Sequence, residues 1–153
     1  MYFLVMLLVI QVGEPTDPSG GYTQYNSFTK YDKYFSKYSK RYFGVGFDWR
    51  YFKAQAIAES NLQPTAESPV GARGIMQIMP PTFADIKRLH PEIKGTIDEP
   101  RWNIASGIWY DRQNFTIWRA DRTPTDRLKF MFGSYNAGRG NILRAQRAAI
   151  RGG

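Results

Sequence analysis

A single carboxyl group, that of Glu59, lies at the end of an apolar stretch and is the strongest candidate for chemistry in the chain. Trp49, Phe52, Ala56 and Glu59 follow one another at steps of three, four and three, which places them on one face of a helix. A carboxyl group on such a face is partly removed from water, and this raises its pKa. A proton still held near neutral pH is what a general acid needs. The spacing leaves open a second interpretation, in which Glu59, close to the helix end, extends into solvent.

The segment that follows this helix is suited to approach Glu59 or a ligand closely. Two prolines break regular structure in residues 61–70, which are therefore predicted to form a loop. Gly71 and Gly74 then allow a tight turn and a close backbone approach. Gln77 is an amide within an apolar run, and because buried amides need partners it either holds the loop backbone or faces the ligand.

The kinds of residue present exclude several other sites. The chain has no cysteine, which rules out disulfides, thiolate metal sites and a cysteine nucleophile. Its one histidine, His90, precedes Pro91 where a helix must stop, and a single histidine is poorly suited to a Ser-His-Asp triad or a histidine-rich metal site. Hydrolytic chemistry, if present, must rest mainly on carboxyl groups.

The length of the chain indicates the number of domains, and its net charge indicates which kinds of partner it could bind. At 153 residues the chain is long enough for one domain with a single core. The formal net charge of +8 favours polyanions, namely nucleic acid, anionic lipid or an anionic cell wall. The basic residues are dispersed and no nucleic-acid-binding motif is present, so nucleic acid is not expected as a partner. Aromatic residues make up 16% of the chain and either fill the core or line a groove for a flat ligand.

Helical spacing recurs along the chain and no segment alternates like a strand, so the predicted fold class is all-α. The first helix is predicted to end at Gly44 and Gly46, and Asp48 to cap the helix that carries Glu59. The aromatic face of the first helix comprises Phe28, Tyr31, Phe35, Tyr38 and Tyr42.

Four further helices complete the predicted fold. One begins near Pro81 and turns Phe83, Ile86 and Leu89 inward. The next spans about residues 103–118, and a short final helix spans residues 141–150. Between these two, Thr123 is predicted to cap a helix that stops at Gly138. The apolar face of that helix comprises Leu128, Met131, Phe132 and Tyr135.

The N-terminal part differs in composition from the rest. Its apolar run is shorter than the ~20 residues that span a bilayer and is typical of a signal-peptide core, although the usual basic start and small-residue cleavage site are missing. We therefore expect an export or anchor segment at residues 1–13, with membrane association through residues 1–12. A linker at residues 14–24 and a catalytic domain at residues 25–153 would follow. The alternatives are an apolar extension that packs on the domain, or an imperfect gene start.

Four blocks occur in a fixed order. In the first, residues 58–64, Glu-Ser precedes an apolar residue and a proline; the second, residues 68–80, reads Ser-Pro-Val-Gly-Ala-Arg-Gly-Ile-Met-Gln-Ile-Met-Pro. The third consists of Asn103, Ile104, Gly107 and Tyr110. The fourth, residues 134–138, reads Ser-Tyr-Asn-Ala-Gly. In this order they resemble the blocks of the soluble lytic transglycosylases, whose catalytic domain is related to goose-type lysozyme, over about residues 31–150.

The resemblance implies a lysozyme-like helical domain with a substrate groove and little or no β structure. It also implies cleavage of the β-1,4 bond between N-acetylmuramic acid and N-acetylglucosamine in peptidoglycan, with formation of a 1,6-anhydromuramoyl end and without water. The glycan strand would be the partner, and neither a metal nor a cofactor is implied. The expected location is the cell envelope, either periplasmic or membrane-anchored facing the wall, and a monomer is expected.

The same resemblance implies roles for individual residues. Glu59 would protonate the glycosidic oxygen and then, as a carboxylate, take the proton of the C6 hydroxyl group. Tyr135 would donate a hydrogen bond near the acetamido group or Glu59. Ser60 and Ser68 would orient Glu59 or the C6 hydroxyl group.

The remaining implied residues concern substrate binding. Met76 and Gln77 would form the wall and the polar contact of the adjoining sugar sites. Asn136 is included with them, although it is better suited to holding a loop.

Two other functions stay open, a lysozyme-type hydrolase and a non-catalytic glycan-binding module. The Glu59-Ser60 pair favours an enzyme over a binding module. The family domain usually continues past its last helix with a further segment, whereas this sequence ends at Gly153. We therefore expect either a minimal form of the domain or a truncated C-terminus, in which some groove contacts are missing.

Overall fold

The structure, a computed structural model, describes residues 29–119 and 122–152. Over these residues the chain forms six α-helices: α1 Asp32–Phe43, α2 Arg50–Ser60, α3 Pro80–Leu89, α4 Pro100–Ile117, α5 Pro124–Ala137 and α6 Arg139–Gly152. The same residues contain no strand, only isolated bridges that join Arg73 to Glu67 and to Ile78. The predicted all-α class is confirmed.

Some sequence-based predictions lie outside the described residues. These are the export or anchor segment at 1–13, the linker at 14–24 and the contribution of Phe28 to the first helix. Among the residues that are described, no helix is long and apolar enough to cross a membrane.

Caps predicted from sequence are present in three helices, and in α5 at both ends. α1 ends at Gly44, whose φ of +97° favours glycine. The Asp48 carboxylate accepts the backbone N–H of Arg50 at 3.0 Å, so it caps α2. The Thr123 hydroxyl oxygen accepts the backbone N–H of Asp126 at 3.1 Å at the start of α5, and Gly138 ends that helix.

Helix ends and one apolar face differ from the prediction. α4 begins three residues before Asn103, because Pro100 occupies its first turn, where a missing N–H costs nothing. α6 is longer at both ends than residues 141–150. Leu89, predicted to turn inward on α3, is 56% exposed, because it lies at the end of the helix beyond the packed Phe83 and Ile86.

α4 is the central element of the core. It packs against α1, α3 and α5, and its residues Ile104 and Ile108 are fully buried. Polar side chains of the same helix are also buried, among them Asn103 and Asp111. The inner face of α4 therefore brings polar groups into the interior, next to α2 and the loop that follows it.

Candidate active site

Glu59 lies in the last turn of α2, on the same face as Phe52 and Ala56, whose side chains are fully buried. Its own side chain is partly buried, and this burial raises the pKa of Glu59 from its ordinary value of 4.5 to about 7. The carboxyl group therefore keeps its proton close to neutral pH. Of the two sequence interpretations, the structure agrees with partial desolvation and not with a side chain that extends into solvent.

The chain reverses direction directly after this helix. Asn61 and Leu62 adopt φ angles of 52° and 61°, a left-handed conformation that is uncommon for residues other than glycine. The Leu62 side chain is buried in spite of this. The reversal starts the loop of residues 61–79 that returns to the end of α2.

Ser60 ties this loop to α2. Its hydroxyl group donates a hydrogen bond of 2.8 Å to the carbonyl oxygen of Ile75 and lies 3.4 Å from that of Ala56. Because the Ser60 hydroxyl group donates to the loop backbone, Ser60 holds the helix turn that carries Glu59.

Ser68 and Gln77 stabilise the loop through hydrogen bonds to its own backbone. The Ser68 hydroxyl oxygen accepts the backbone N–H of Ala72 at 2.9 Å, which leaves its own proton available. The amide nitrogen of Gln77 donates to the carbonyl oxygens of Ala66 at 3.1 Å and Gly74 at 2.9 Å, from a backbone with φ of +45°. Of the two roles open to Gln77, the structure shows the loop contact; a contact with sugar stays a prediction.

Asn103, which was named above only as a member of the third block, is a structural residue of the site. It is buried on α4, where its side-chain oxygen accepts the backbone N–H of Met76 at 2.7 Å. Its nitrogen donates to the carbonyl oxygens of Arg73 at 3.0 Å and Ile97 at 2.8 Å. A Cβ at Gly74 would overlap this amide, so glycine is required for the loop to lie against α4.

The structure corrects the expectation for Met76. Its side chain is 0% exposed and packs on α4 at Gly107, where an added Cβ would lie 2.7 Å from the Met76 Cβ. Met76 therefore belongs to the core and does not form the wall of an open sugar site, because the loop folds it inward.

Tyr135 on α5 contacts the loop and lies close enough to Glu59 for an electrostatic interaction. Its hydroxyl group donates to the carbonyl oxygen of Met76 at 2.6 Å, and its ring meets Tyr110 edge-on at 5.4 Å. Burial raises the pKa of Tyr135 well above its ordinary value, and the negative charges of Asp111 and Glu59 add to the increase. Tyr135 therefore interacts electrostatically with Glu59, but its hydroxyl proton is donated to the backbone carbonyl oxygen of Met76.

Asn136 is exposed in the last turn of α5. Its exposure leaves the side chain accessible to a ligand.

A second carboxyl group near Glu59, that of Asp111, was not predicted from the sequence. Asp111 on α4 is 0% exposed, and burial raises its pKa well above the ordinary value. The Gln55 amide acts in the opposite direction, while the charge of Glu59 raises the pKa of Asp111 further. The only sequence signal for Asp111 is that it lies seven residues after Ile104, on the buried face of α4.

Metal binding has no support within the described residues. No group of three or more histidine, aspartate or glutamate side chains in this part of the chain is placed to hold a metal ion.

A family model described as "Transglycosylase SLT domain" matches residues 33–151. Among curated relatives, the chain is 31% identical over 124 residues to the membrane-bound lytic murein transglycosylase F of Vibrio campbellii and 32% identical over 124 residues to that of Shewanella pealeana. These alignments cover 80% and 81% of this chain but 21% and 24% of the relatives. The chain thus spans about a fifth of the length of the curated relatives it matches.

Solved structures show the same similarity. The chain matches the 70 kDa soluble lytic transglycosylase in complex with bulgecin A with a TM-score of 0.61 and 30% identity, over 76% of this chain and 18% of that one. It matches the 70 kDa soluble lytic transglycosylase of Escherichia coli with a TM-score of 0.60 and 27% identity, over 80% of this chain and 20% of that one. The expected lysozyme-like helical fold is confirmed by this likeness.

Proposed function

The chain belongs to the transglycosylase SLT domain family, and from this premise we propose that it is a peptidoglycan lytic transglycosylase. The proposed reaction cleaves the β-1,4 bond between N-acetylmuramic acid and N-acetylglucosamine and leaves a 1,6-anhydromuramoyl end. One observation carries the proposal. Glu59 is a partly buried acid with a pKa of about 7, whereas Asp111, the carboxyl group that interacts electrostatically with it, is fully buried.

The burial of Asp111 favours attack by the substrate over attack by water. Most glycosidases place two carboxyl groups on either side of the scissile bond, one as acid and the other as nucleophile or base. Asp111 is 0% exposed and so cannot contact a sugar or a water molecule on the far side of the ring. A site with one accessible carboxyl group needs a nucleophile from the substrate, and the C6 hydroxyl group supplies one.

Glu59 would act twice in this reaction. As an acid it gives its proton to the glycosidic oxygen while the bond from that oxygen to C1 breaks. The acetamido oxygen of the substrate stabilises the positive charge that develops at C1. Glu59, now a carboxylate, takes the proton of the C6 hydroxyl group as the C6 oxygen bonds to C1. The carboxyl group ends protonated, and no water is consumed.

Supporting roles are proposed for residues around Glu59. The free proton of Ser68 can orient the C6 hydroxyl group, and Ser60 holds the end of α2 through its bond to Ile75. Tyr135 accepts hydrogen bonds from the acetamido group, or donates to it once its bond to Met76 is released. Gln77 and Asn136 remain the proposed polar contacts of the sugar.

The proposed place of action is the bacterial cell envelope, with the glycan strand of peptidoglycan as substrate and the protein a monomer. This agrees with the relatives, which are named membrane-bound lytic murein transglycosylases. Anchoring through residues 1–12 belongs to the same proposal.

The Glu59→Gln variant tests the function. It keeps the shape of the side chain but removes the acid, so release of soluble fragments from purified peptidoglycan should fall at least about a thousandfold, to the level without enzyme. Circular dichroism checks that the variant is folded. Activity that survives in the variant would contradict the assignment of Glu59.

Mass spectrometry of the fragments from the unmodified protein separates the rival functions. We expect 1,6-anhydromuramoyl ends. Reducing ends would identify a lysozyme-type hydrolase instead. Binding to insoluble peptidoglycan with no soluble product would identify a glycan-binding module.

A further inference from the structure

One face of α1 carries positive charge that the mechanism above does not use. Lys33, Lys37 and Lys40 follow one another at steps of four and three, so they lie on the same side of the helix. All three are exposed, while Phe35 and Tyr38 on the other side of α1 are buried. The three lysines therefore form a basic ridge that is directed away from the core.

Arg101, in the first turn of α4, extends this ridge. Its Nε donates a hydrogen bond of 3.0 Å to the hydroxyl oxygen of Tyr38, which joins the start of α4 to α1. Arg101 is exposed, and its Cζ lies 4.3 Å from the centre of the Trp102 ring. Lys33 is placed in a similar way, with its Nζ 5.0 Å from the centre of the Tyr34 ring. Together these groups form a surface, the basic face, which comprises Lys33, Lys37, Lys40, Arg101, Tyr34 and Trp102.

The charges of the basic face are not neutralised by carboxylates. Among the described residues, none of its four cations takes part in an ion pair. The single acid of α1, Asp32, is paired with Lys53 at 2.7 Å. Glu99, directly before α4, accepts the backbone N–H of Thr96 at 2.8 Å. A face with four such cations attracts a polyanion or an anionic surface.

The basic face is separate from the candidate active site. A cation close to Glu59 would lower the pKa of its carboxyl group, whereas that pKa is raised, and burial is the cause. The basic face is therefore suited to a partner other than the sugars that react at Glu59.

The side chains of the basic face are those typical of the headgroup region of a bilayer. Tyrosine and tryptophan combine an apolar ring with a polar group and are enriched where a bilayer meets water. Tyr34 and Trp102 are both partly exposed. Lysine and arginine extend their charges on apolar stems, and each adds affinity for anionic headgroups. This combination favours an anionic lipid surface over a polymer that offers charge alone.

We propose that the basic face is a membrane-binding surface, which docks this part of the chain on a bilayer that contains anionic phospholipid. The N-terminal apolar run is shorter than the ~20 residues that span a bilayer. A weak attachment becomes stable when a basic surface supplies a second contact. The inference goes beyond the proposed reaction and does not depend on it, because no residue of the basic face acts on the glycan.

Flotation of the full chain with lipid vesicles tests the charges. The triple variant Lys33→Gln, Lys37→Gln and Lys40→Gln should bind vesicles of phosphatidylcholine mixed with phosphatidylglycerol about a hundredfold more weakly, since each lysine near such a surface contributes roughly fivefold. Binding to phosphatidylcholine alone should not change. The matched control removes the same charge from α6, by Arg144→Gln, Arg147→Gln and Arg151→Gln, and should alter binding less than about threefold.

Tryptophan fluorescence locates the contact on the protein. The four tryptophans are Trp49, Trp102, Trp109 and Trp118, so the N-terminal apolar run gives no signal. Phospholipid brominated close to the headgroup should quench the emission of the vesicle-bound protein. Most of this quenching should disappear in Trp102→Phe and remain in Trp109→Phe, which is the matched control because Trp109 is also partly exposed but lies outside the basic face.

Several results would overturn the proposal, with circular dichroism used to check that each variant is folded. Equal losses of vesicle binding in the α1 and α6 triple variants would assign the binding to net charge. Unchanged vesicle binding by the α1 variant, with loss of its binding to insoluble peptidoglycan, would assign the basic face to the wall polymer. Quenching that persists in Trp102→Phe would place another surface on the lipid.

Failure of this proposal is distinct from failure of the proposed function. Absence of anhydromuramoyl ends among the products would overturn the function, while vesicle binding by the same protein would still report on the basic face.

Discussion

At the level of single residues, the burial of Glu59 links its chemistry to the stability of the fold. Its pKa of about 7 makes it a usable acid near neutral pH. The same burial means that the folded protein binds this proton more tightly than the unfolded chain does. A functional carboxyl group of this kind therefore lowers the free energy of unfolding at pH values where it is ionised.

The pH dependence of stability should reveal this cost. Between pH 4.5 and about 7 the folded state holds a proton on Glu59 that the unfolded state has lost, so the free energy of unfolding decreases as pH rises through this window. At pH 8 the Glu59→Gln variant should be more stable than the unmodified protein by on the order of 2 kcal/mol, after allowing for solvent screening of a partly exposed group.

Urea denaturation at pH 4.5 and pH 8 measures this difference. Asp111 affects stability with the same sign. Its burial, the largest cause of its raised pKa, is present in both proteins, so most of its effect cancels in the comparison, and only the smaller part due to the charge of Glu59 is lost in the variant. An equal stability difference at the two pH values would show that Glu59 titrates normally.

At the level of elements, the C-terminal end of α4 is held by a side chain from α5. The Arg127 guanidinium donates to the carbonyl oxygens of Trp118 at 3.0 Å and Phe115 at 3.2 Å. It also lies 3.8 Å from the centre of the Phe115 ring. The last carbonyl groups of a helix have no partner within the helix, so Arg127 satisfies groups that would otherwise be left unpaired.

Replacement of Arg127 by Gln should lower the free energy of unfolding by about 1–2 kcal/mol, because two hydrogen bonds to helix-end carbonyls and a cation–π contact are lost. Lys129→Gln is the matched control. Lys129 is exposed and forms only a surface ion pair of 3.2 Å with Asp126, so its replacement should change stability by less than about 0.5 kcal/mol. Similar losses in the two variants would argue against a capping role for Arg127.

At the level of the whole molecule, the net charge of +8 concerns association and not the fold. Part of this charge is concentrated on α6, which carries Arg139, Arg144, Arg147 and Arg151 and no acidic residue. None of the residues of this helix is buried. A basic surface of this kind attracts an anionic wall polymer over distances of about a Debye length.

Binding of the inactive Glu59→Gln protein to insoluble peptidoglycan should therefore weaken several-fold between about 50 mM and 300 mM salt, because screening reduces the attraction. A co-sedimentation assay measures it, and uncharged chitin is the matched control, for which little salt dependence is expected. Equal salt dependence on the two polymers would show that the net charge does not contribute to binding.

The sequence alone determined the helical class, several caps and the candidate acid. Each of these depends on residues close together in the chain: the spacing of the apolar stripe that contains Glu59, the hydroxyl group of Thr123 at a helix start, and the glycines Gly44 and Gly138 at helix ends. Local spacing also indicated that Glu59 is partly desolvated, which the structure bears out. The roles of Glu59 and its neighbours in catalysis stay predictions.

Tertiary structure alone decided which side chains meet. Met76 is folded into the core, Tyr135 gives its proton to a backbone carbonyl, and Asn103 holds the loop. Gln55 and Asp111 are more than fifty residues apart in sequence, and only the packing of α2 beside α4 brings them together behind Glu59. Helical periodicity fixes which face of a helix is buried, but the identity of the group on the other side depends on how the helices cross.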